Sequence, residues 1–190
     1  SVQIRNMGTI GGNLCNASPA ADTAPPLLAL DAEAEIDSLG GTRIIPLSGL
    51  FAGPKVNSLE RGELLREVRF PVPPAGSGSA FHKLGRRRGH TLSIVNASAY
   101  LEVEDDVCVE ARLAVGAAAS TPLRMPGAEE MLKGRRLTAE TMERAASACR
   151  HLVRPVDDIR ASSDYRREMA RVLVRRALTD ALRRARRSRP

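Results

Sequence analysis

The sequence predicts an α+β fold in two units, and three observations carry that reading. Residues 92–102 and 107–117 read as strands joined at Glu104-Asp105-Asp106, and Val107, Val109, Ala111, Leu113 and Val115 alternate at the period of a half-buried strand. Beyond residue 138 the apolar side chains recur at helical spacing instead. Between these elements and an earlier strand-rich stretch lies Pro71 to Ser79, with three prolines and two glycines, the clearest internal boundary. A three-stranded antiparallel sheet packed on helices is therefore expected after the break.

In the first unit, Pro25-Pro26 opens a short apolar helix over Leu27 to Leu30, since amides in a first turn lack intrahelical partners and proline loses nothing there. Ala34 to Leu39 and Thr42 to Leu47 flank Gly40-Gly41, a two-residue loop suited to a primed hairpin turn. Residues 48–61 read as a loop broken by Gly53-Pro54. Residues 63–70 alternate well enough for a strand, stopped by Pro71, Pro73 and Pro74.

In the second unit, Ser79 to Leu84 is strand-like and runs into Gly85-Arg86-Arg87-Arg88-Gly89-His90. After the two long strands, Thr138 can cap a helix with Met142, Ala145, Ala146, Cys149 and Leu152 on one face. Ser162 or Ser163 can cap a second, with Ala170, Leu173, Val174, Ala177, Leu178 and Ala181 as its apolar stripe.

Composition sets the bounds. A chain of 190 residues, 43% hydrophobic and 27% charged, buries one good core or two small ones. No apolar run approaches the roughly 20 residues needed to span a bilayer, and no secretory signal is visible. Cys15, Cys108 and Cys149 are odd in number and widely spaced, which disfavours a disulfide framework, a zinc site or an iron–sulfur cluster held by this chain. A reducing, cytoplasmic setting follows as the expectation. His82, His90 and His151 are scattered, so no acid–base dyad and no metal centre is expected.

The most informative stretch is residues 3–26, glycine-rich, small and polar, with the lone carboxylate Asp22. A backbone this bare lets another group approach closely, and successive amides in a turn suit phosphate oxygens. The plain alternative is a glycine-rich bend. A P-loop is excluded because no lysine follows the glycines, and Gly8-Thr9-Ile10-Gly11-Gly12 has the wrong spacing for a dinucleotide fingerprint. Arg5-Asn6-Met7-Gly8-Thr9-Ile10-Gly11-Gly12-Asn13, followed by Ala17-Ser18-Pro19-Ala20-Ala21-Asp22, resembles the second flavin-contacting motif of the molybdenum hydroxylase flavoproteins. These are the FAD-binding medium subunits or domains of xanthine dehydrogenase, aldehyde oxidase and carbon monoxide dehydrogenase.

The resemblance covers essentially the whole chain. It implies the second subdomain of a PCMH-type FAD-binding domain over 1–74, a flavoprotein C-terminal α+β domain over 79–185, and a basic tail over 186–190. It also implies a preceding subdomain with another glycine-rich loop, so that a chain starting Ser1-Val2-Gln3 is expected to be N-terminally truncated and inactive alone. FAD is the implied cofactor, supplying the redox chemistry while the protein binds and orients it. Thr9, Ile10, Gly11, Gly12 and Asn13 would cradle its phosphates with backbone amides and the Thr9 hydroxyl. Asp22 would accept hydrogen bonds from a ribityl or ribose hydroxyl; read from the residues alone, it is equally a cap for the helix at Pro25-Pro26.

Leu65 falls where the family lays a residue against the isoalloxazine, and is also a candidate core residue. Lys83 matches a family lysine in the pattern aromatic-x-Lys before Arg-Arg, where it would meet the flavin or a phosphate; a plain surface lysine is the alternative. Some members place the lysine where this chain has His82, and many carry an Asp near His90-Thr91-Leu92. The implied partners are a molybdopterin-binding large subunit and a [2Fe-2S] small subunit, as a dimer of heterotrimers, with electrons passed through FAD to an acceptor.

Two other functions fit the residues. One is a scaffold or regulatory remnant of the family without flavin. The other is a basic nucleic-acid-binding module, suggested by a net charge of +7 and ten arginines between Arg166 and Pro190. Two tyrosines, three phenylalanines and no tryptophan leave few stacking platforms for it. A solvated helix face is the expected role of the arginines, with docking on an acidic partner second.

Overall fold

The computed structural model describes residues 2–87 and 91–188. The first unit starts with three short helices, α1 (Val2–Met7), α2 (Ile10–Cys15) and α3 (Ala24–Ala29). The glycine-rich stretch is thus helical at its centre, where a bend was the plain alternative. Thr9 is extended and its hydroxyl accepts the Gly12 amide at 2.9 Å, so a cap closes the turn despite two glycines. Strands β1 (Glu33–Ser38) and β2 (Gly41–Pro46) form the expected hairpin, but its loop is Leu39-Gly40, with Ser38 opposite Gly41.

Residues 48–61, expected as a loop, hold most of a 3₁₀ turn (Leu47–Leu50) and a small hairpin of β3 (Phe51–Gly53) and β4 (Val56–Asn57). Strands this short carry no readable period. Strand β5 (Leu64–Arg69) pairs with β1, giving an antiparallel sheet ordered β2-β1-β5. A bulge between Glu35 and Ile36 leaves Arg66 without a register partner on β1. Leu65 and Val68, three apart, both pack against the first unit's core.

The second unit is an antiparallel sheet of β6 (Ser77–Leu84), β7 (Val95–Glu104), β8 (Val107–Gly116) and β9 (Leu123–Arg124), in that order. The three expected strands are joined by β9, two residues long. The β7–β8 turn is made by Asp105 and Asp106 at φ 46 and 64. A second bulge corrects the alternation read from the sequence. Glu102 faces Glu110 but Val103 faces Cys108, so Val109 is surplus; Cys108 is fully buried while Val109 is 47% exposed.

Helices α4 (Pro126–Glu129), α5 (Ala139–Leu152) and α6 (Ser163–Arg187) follow. Thr138 and Thr141 form a reciprocal capping box at α5, and the Ser162 hydroxyl accepts the Tyr165 amide at 3.3 Å to cap α6. The whole expected α6 stripe is buried, whereas Leu152 of the α5 set stands exposed at the helix end and Val153 takes the core position.

One face of the β6–β8 sheet packs on α5 and α6 around Leu101, Leu113, Leu173 and Leu178. From its other face Tyr100 and Ala114 enter the first unit's core, with Leu14, Leu28, Ala34 and Leu50. Strand β7 is consequently buried at every position from Val95 to Leu101, a continuous pattern of the kind seen in sheets covered on both sides.

The arginine run is wired into this fold more than the sequence suggested. Arg166 is 4% exposed and donates to the Ile94 carbonyl (2.8 Å), the Ala117 carbonyl (3.1 Å) and Asp158 (2.6 Å). Arg171 pairs with Glu143 and Glu168, and Arg184 donates to the Ser79 carbonyl at 2.6 Å. Arg186 is within α6 and bonds Asp106 at 3.1 Å, and Ser188 donates to the Ser77 carbonyl at 2.7 Å, so the expected tail begins as docked helix. No helix among the described residues is long and apolar enough to cross a membrane.

Candidate functional site

The motif is staked by three hydrogen bonds from two places. Asn57 donates to the Cys15 carbonyl at 2.6 Å, the Lys55 amide to the Ala17 carbonyl at 2.9 Å, and the Ala117 amide to the Pro19 carbonyl at 2.6 Å. The first two come from the small hairpin and the third from the end of β8. Ala17 holds φ 45, where the chain turns out of α2 towards Ser18-Pro19. The Thr23 hydroxyl donates to Asn13 Oδ1 at 2.5 Å and fixes the Asn13 side chain.

This scaffold opens an exposed cleft of about 950 Å³, lined by Thr9, Ile10, Gly12, Asn13 and Asp22 together with Met7 and Thr23. Within α2 the Gly12 amide goes to Thr9 Oγ1 and the Asn13 amide to the Thr9 carbonyl at 3.0 Å. The amides of Ile10 and Gly11 are left without intrahelical acceptors. Gly11 looks the other way: a Cβ there would lie 3.9 Å from Leu65 Cδ2, so Leu65 of β5 backs the motif from the sheet side. Five of the expected contacts, Thr9, Ile10, Gly12, Asn13 and Asp22, line one cleft, and Leu65 stands behind it.

Asp22 does not cap α3. Thr23 occupies that position, with no side-chain cap bond. The Asp22 carboxylate reaches the second unit instead: Oδ1 accepts from Ser93 Oγ (2.7 Å) and Asn96 Nδ2 (3.2 Å), and Oδ2 accepts from Lys83 Nζ. Lys83, expected at the flavin or a phosphate, is the counter-ion of Asp22 and is not among the residues lining the cleft. Its neighbour His82 points to the opposite face of β6, as adjacent strand residues must, and meets Asp180 of α6 at 3.0 Å. His90 lies outside the described residues.

Ser93 and Asn96 were not legible as site residues; the only hint was an amide in the apolar run Ile94-Val95-Asn96-Ala97. No cysteine side chain lines the cleft. Burial pushes the Cys108 and Cys149 thiols up to about 12.

A family model described as the FAD binding domain in molybdopterin dehydrogenase matches residues 1–73, and one described as the CO dehydrogenase flavoprotein C-terminal domain matches residues 79–181. The chain belongs to the flavoprotein family of the molybdenum hydroxylases. It is 41% identical over 184 residues to the 6-hydroxypseudooxynicotine dehydrogenase complex subunit alpha of Paenarthrobacter nicotinovorans, covering 97% of the chain and 62% of that protein. It is 36% identical over 183 residues to the carbon monoxide dehydrogenase medium chain of Afipia carboxidovorans, covering 96% and 63%. Among solved structures, carbon monoxide dehydrogenase from Hydrogenophaga pseudoflava superposes with a TM-score of 0.93 at 33% identity, covering 97% of this chain and 64% of that one. The chain thus spans less than two thirds of the length of these relatives.

FAD is the cofactor of the family, and the cleft suits it. Along one wall the chain presents the Ile10 amide, a side-chain-free surface at Gly12 and the Asp22 carboxylate, a donor for a phosphate and an acceptor for a polyol hydroxyl.

Proposed function

We propose that this chain is the FAD-binding, electron-transferring part of a molybdenum hydroxylase-type oxidoreductase. The observation that carries the reading is the convergence of Thr9, Gly12, Asn13 and Asp22 on one cleft, with Lys83 held beside Asp22 by a strand of the other unit. Bound FAD supplies the electron-carrying chemistry; the chain supplies amides for its phosphates, Asp22 for its hydroxyls, and Leu65 as the apolar backing of the motif. Electrons would arrive from a [2Fe-2S] small subunit, fed by a molybdopterin-binding large subunit, in a dimer of heterotrimers. The names of the relatives, which are chains or subunits of dehydrogenases, support a multi-subunit assembly.

The test is FAD titration followed by flavin fluorescence quenching, on this chain and on a version lengthened by the segments in which its relatives exceed it. Saturable quenching by the longer form, and weaker or no quenching by this chain, is the expected result and would mark this piece as part of a larger site. A folded longer form that leaves FAD free would overturn the assignment in favour of a scaffold without flavin.

A further inference from the structure

Three side chains of the second unit converge on Asp22: Lys83 and Asn96 from one rung of the sheet, and Ser93 from the segment just before β7. Lys83 and Asn96 are register partners on β6 and β7, and Asn96 in turn faces Gly116 on β8. Asn96 is fully buried, and Ser93, three residues earlier, is 2% exposed. Asn96 Nδ2 is 3.2 Å from Ser93 Oγ, and Ser93 Oγ donates onward to Asp22 Oδ1 at 2.7 Å, while Asn96 Nδ2 also reaches Asp22 Oδ1 directly at 3.2 Å. The amide thus has two routes to the same carboxylate oxygen. Its own Oδ1 is buried, with no hydrogen-bond partner among the described residues.

A buried amide with an unpaired carbonyl is a poor device for stability, because an apolar side chain of that size would leave nothing unsatisfied. Gly116 shows the space is reserved for it: a Cβ on Gly116 would collide with Asn96 Oδ1 and lie 3.0 Å from Pro25 Cγ. The arrangement makes sense as a clamp on a rotamer. An ionised carboxylate offers about four lone-pair sites. Lys83, Ser93 and Asn96 occupy the side that faces the second unit, and the Asp22 side chain, still 43% exposed, borders the cleft with what remains.

We propose that Ser93 and Asn96 are positioning residues that hold Asp22 in the orientation needed to accept a hydroxyl of the cofactor's polyol or ribose. The inference rests on the flavoprotein reading. It places the determinant of hydroxyl recognition partly in the C-terminal unit, outside the motif that lines the cleft.

A double-mutant cycle on FAD affinity tests it, using the lengthened form of the chain, with thermal midpoints recorded for every variant. Ser93→Ala should weaken FAD about two- to ten-fold, the worth of one hydrogen bond, with a midpoint lowered by about 2–4 °C for the same lost bond. Ser93→Thr, which keeps the hydroxyl, should restore affinity. In an Asp22→Ala background, Ser93→Ala should have no further effect, because its action passes through Asp22. Full wild-type affinity in Ser93→Ala, or an additive loss in the Asp22→Ala background, overturns the positioning role while leaving the flavin assignment intact. Wild type that fails to bind FAD at all overturns the flavin assignment, and this role with it.

Discussion

Gly12→Ala separates what the fold needs from what the cofactor needs. The added Cβ would stand 2.9 Å from Thr9 Oγ1, the same oxygen that accepts the Gly12 amide at 2.9 Å. The hydroxyl must give way, and loss of such a cap costs about 1 kcal/mol. Replacing a helical glycine by alanine returns roughly 0.5–1 kcal/mol. These nearly cancel, so stability should change by less than about 0.5 kcal/mol, or about 2 °C in melting midpoint for a chain of this size. FAD sees only the obstruction. The methyl group and the displaced hydroxyl both lie on the cleft wall, and overpacking of about 1–3 kcal/mol corresponds to a loss of roughly five- to 150-fold in affinity. Thermal unfolding and fluorescence titration on the same preparations give the two numbers. A midpoint lowered by more than about 5 °C would show that the glycine serves the fold. Unaltered FAD affinity would refute close approach of the cofactor at this position.

Other outcomes follow from the packing and the charges. Gly78→Ala on β6 would drive a Cβ into the Ala181 carbonyl and the Ala185 amide of α6, and should destabilise by about 1–3 kcal/mol or more; an unchanged melting midpoint would refute that close contact. Arg124→Leu leaves Glu129, 4% exposed, without the two 2.8 Å bonds it now receives from Arg124, and should cost about 3–5 kcal/mol in chemical denaturation. Adding Glu129→Leu should recover much of that loss, and failure to recover would mean the arginine acts by packing. Burial pushes the Asp158 carboxyl up, but the Arg160 and Ala161 amides and the Arg166 guanidinium outweigh it, taking the group from 3.8 to about 2. Because the folded value is the lower one, its stabilisation is complete above about pH 4 and is lost as pH falls towards 2. Asp158→Asn should flatten that part of the acid unfolding curve, and an unaltered acid limb would show that other carboxylates govern it.

The sequence disclosed those parts of the fold that rest on long periods and single caps. Thr138 and Ser162 cap the two long helices, and the α6 stripe from Ala170 to Ala181 is buried throughout. What it hid depends on register. Two bulges, at Arg66 and Val109, reverse the inward set of a strand with one surplus residue, and no local pattern announces a surplus residue. The site divides in the same way. Thr9 to Asn13 and Asp22 could be named because the motif is contiguous in sequence. Ser93 and Asn96 lie more than 70 residues from Asp22 and meet it only in the folded chain, where the two units pack together. Arg166 was hidden too: within a run of arginines, nothing in the sequence marks the one that ends up buried against two carbonyls.

The sheet that carries Tyr100 and Ala114 into one core and Leu101 and Leu113 into the other has consequences for how the molecule comes apart. The residue ranges matched by two family models suggest two pieces that could melt in turn. A shared sheet denies the first piece an independent interior: remove the second, and the wall behind Leu14, Leu28 and Leu50 goes with it. Arg124 ties the same seam, reaching Asp31 and the Leu28 carbonyl of the first piece at 3.2 and 3.3 Å. Heat should therefore find one cooperative transition, seen alike by probes placed in either half.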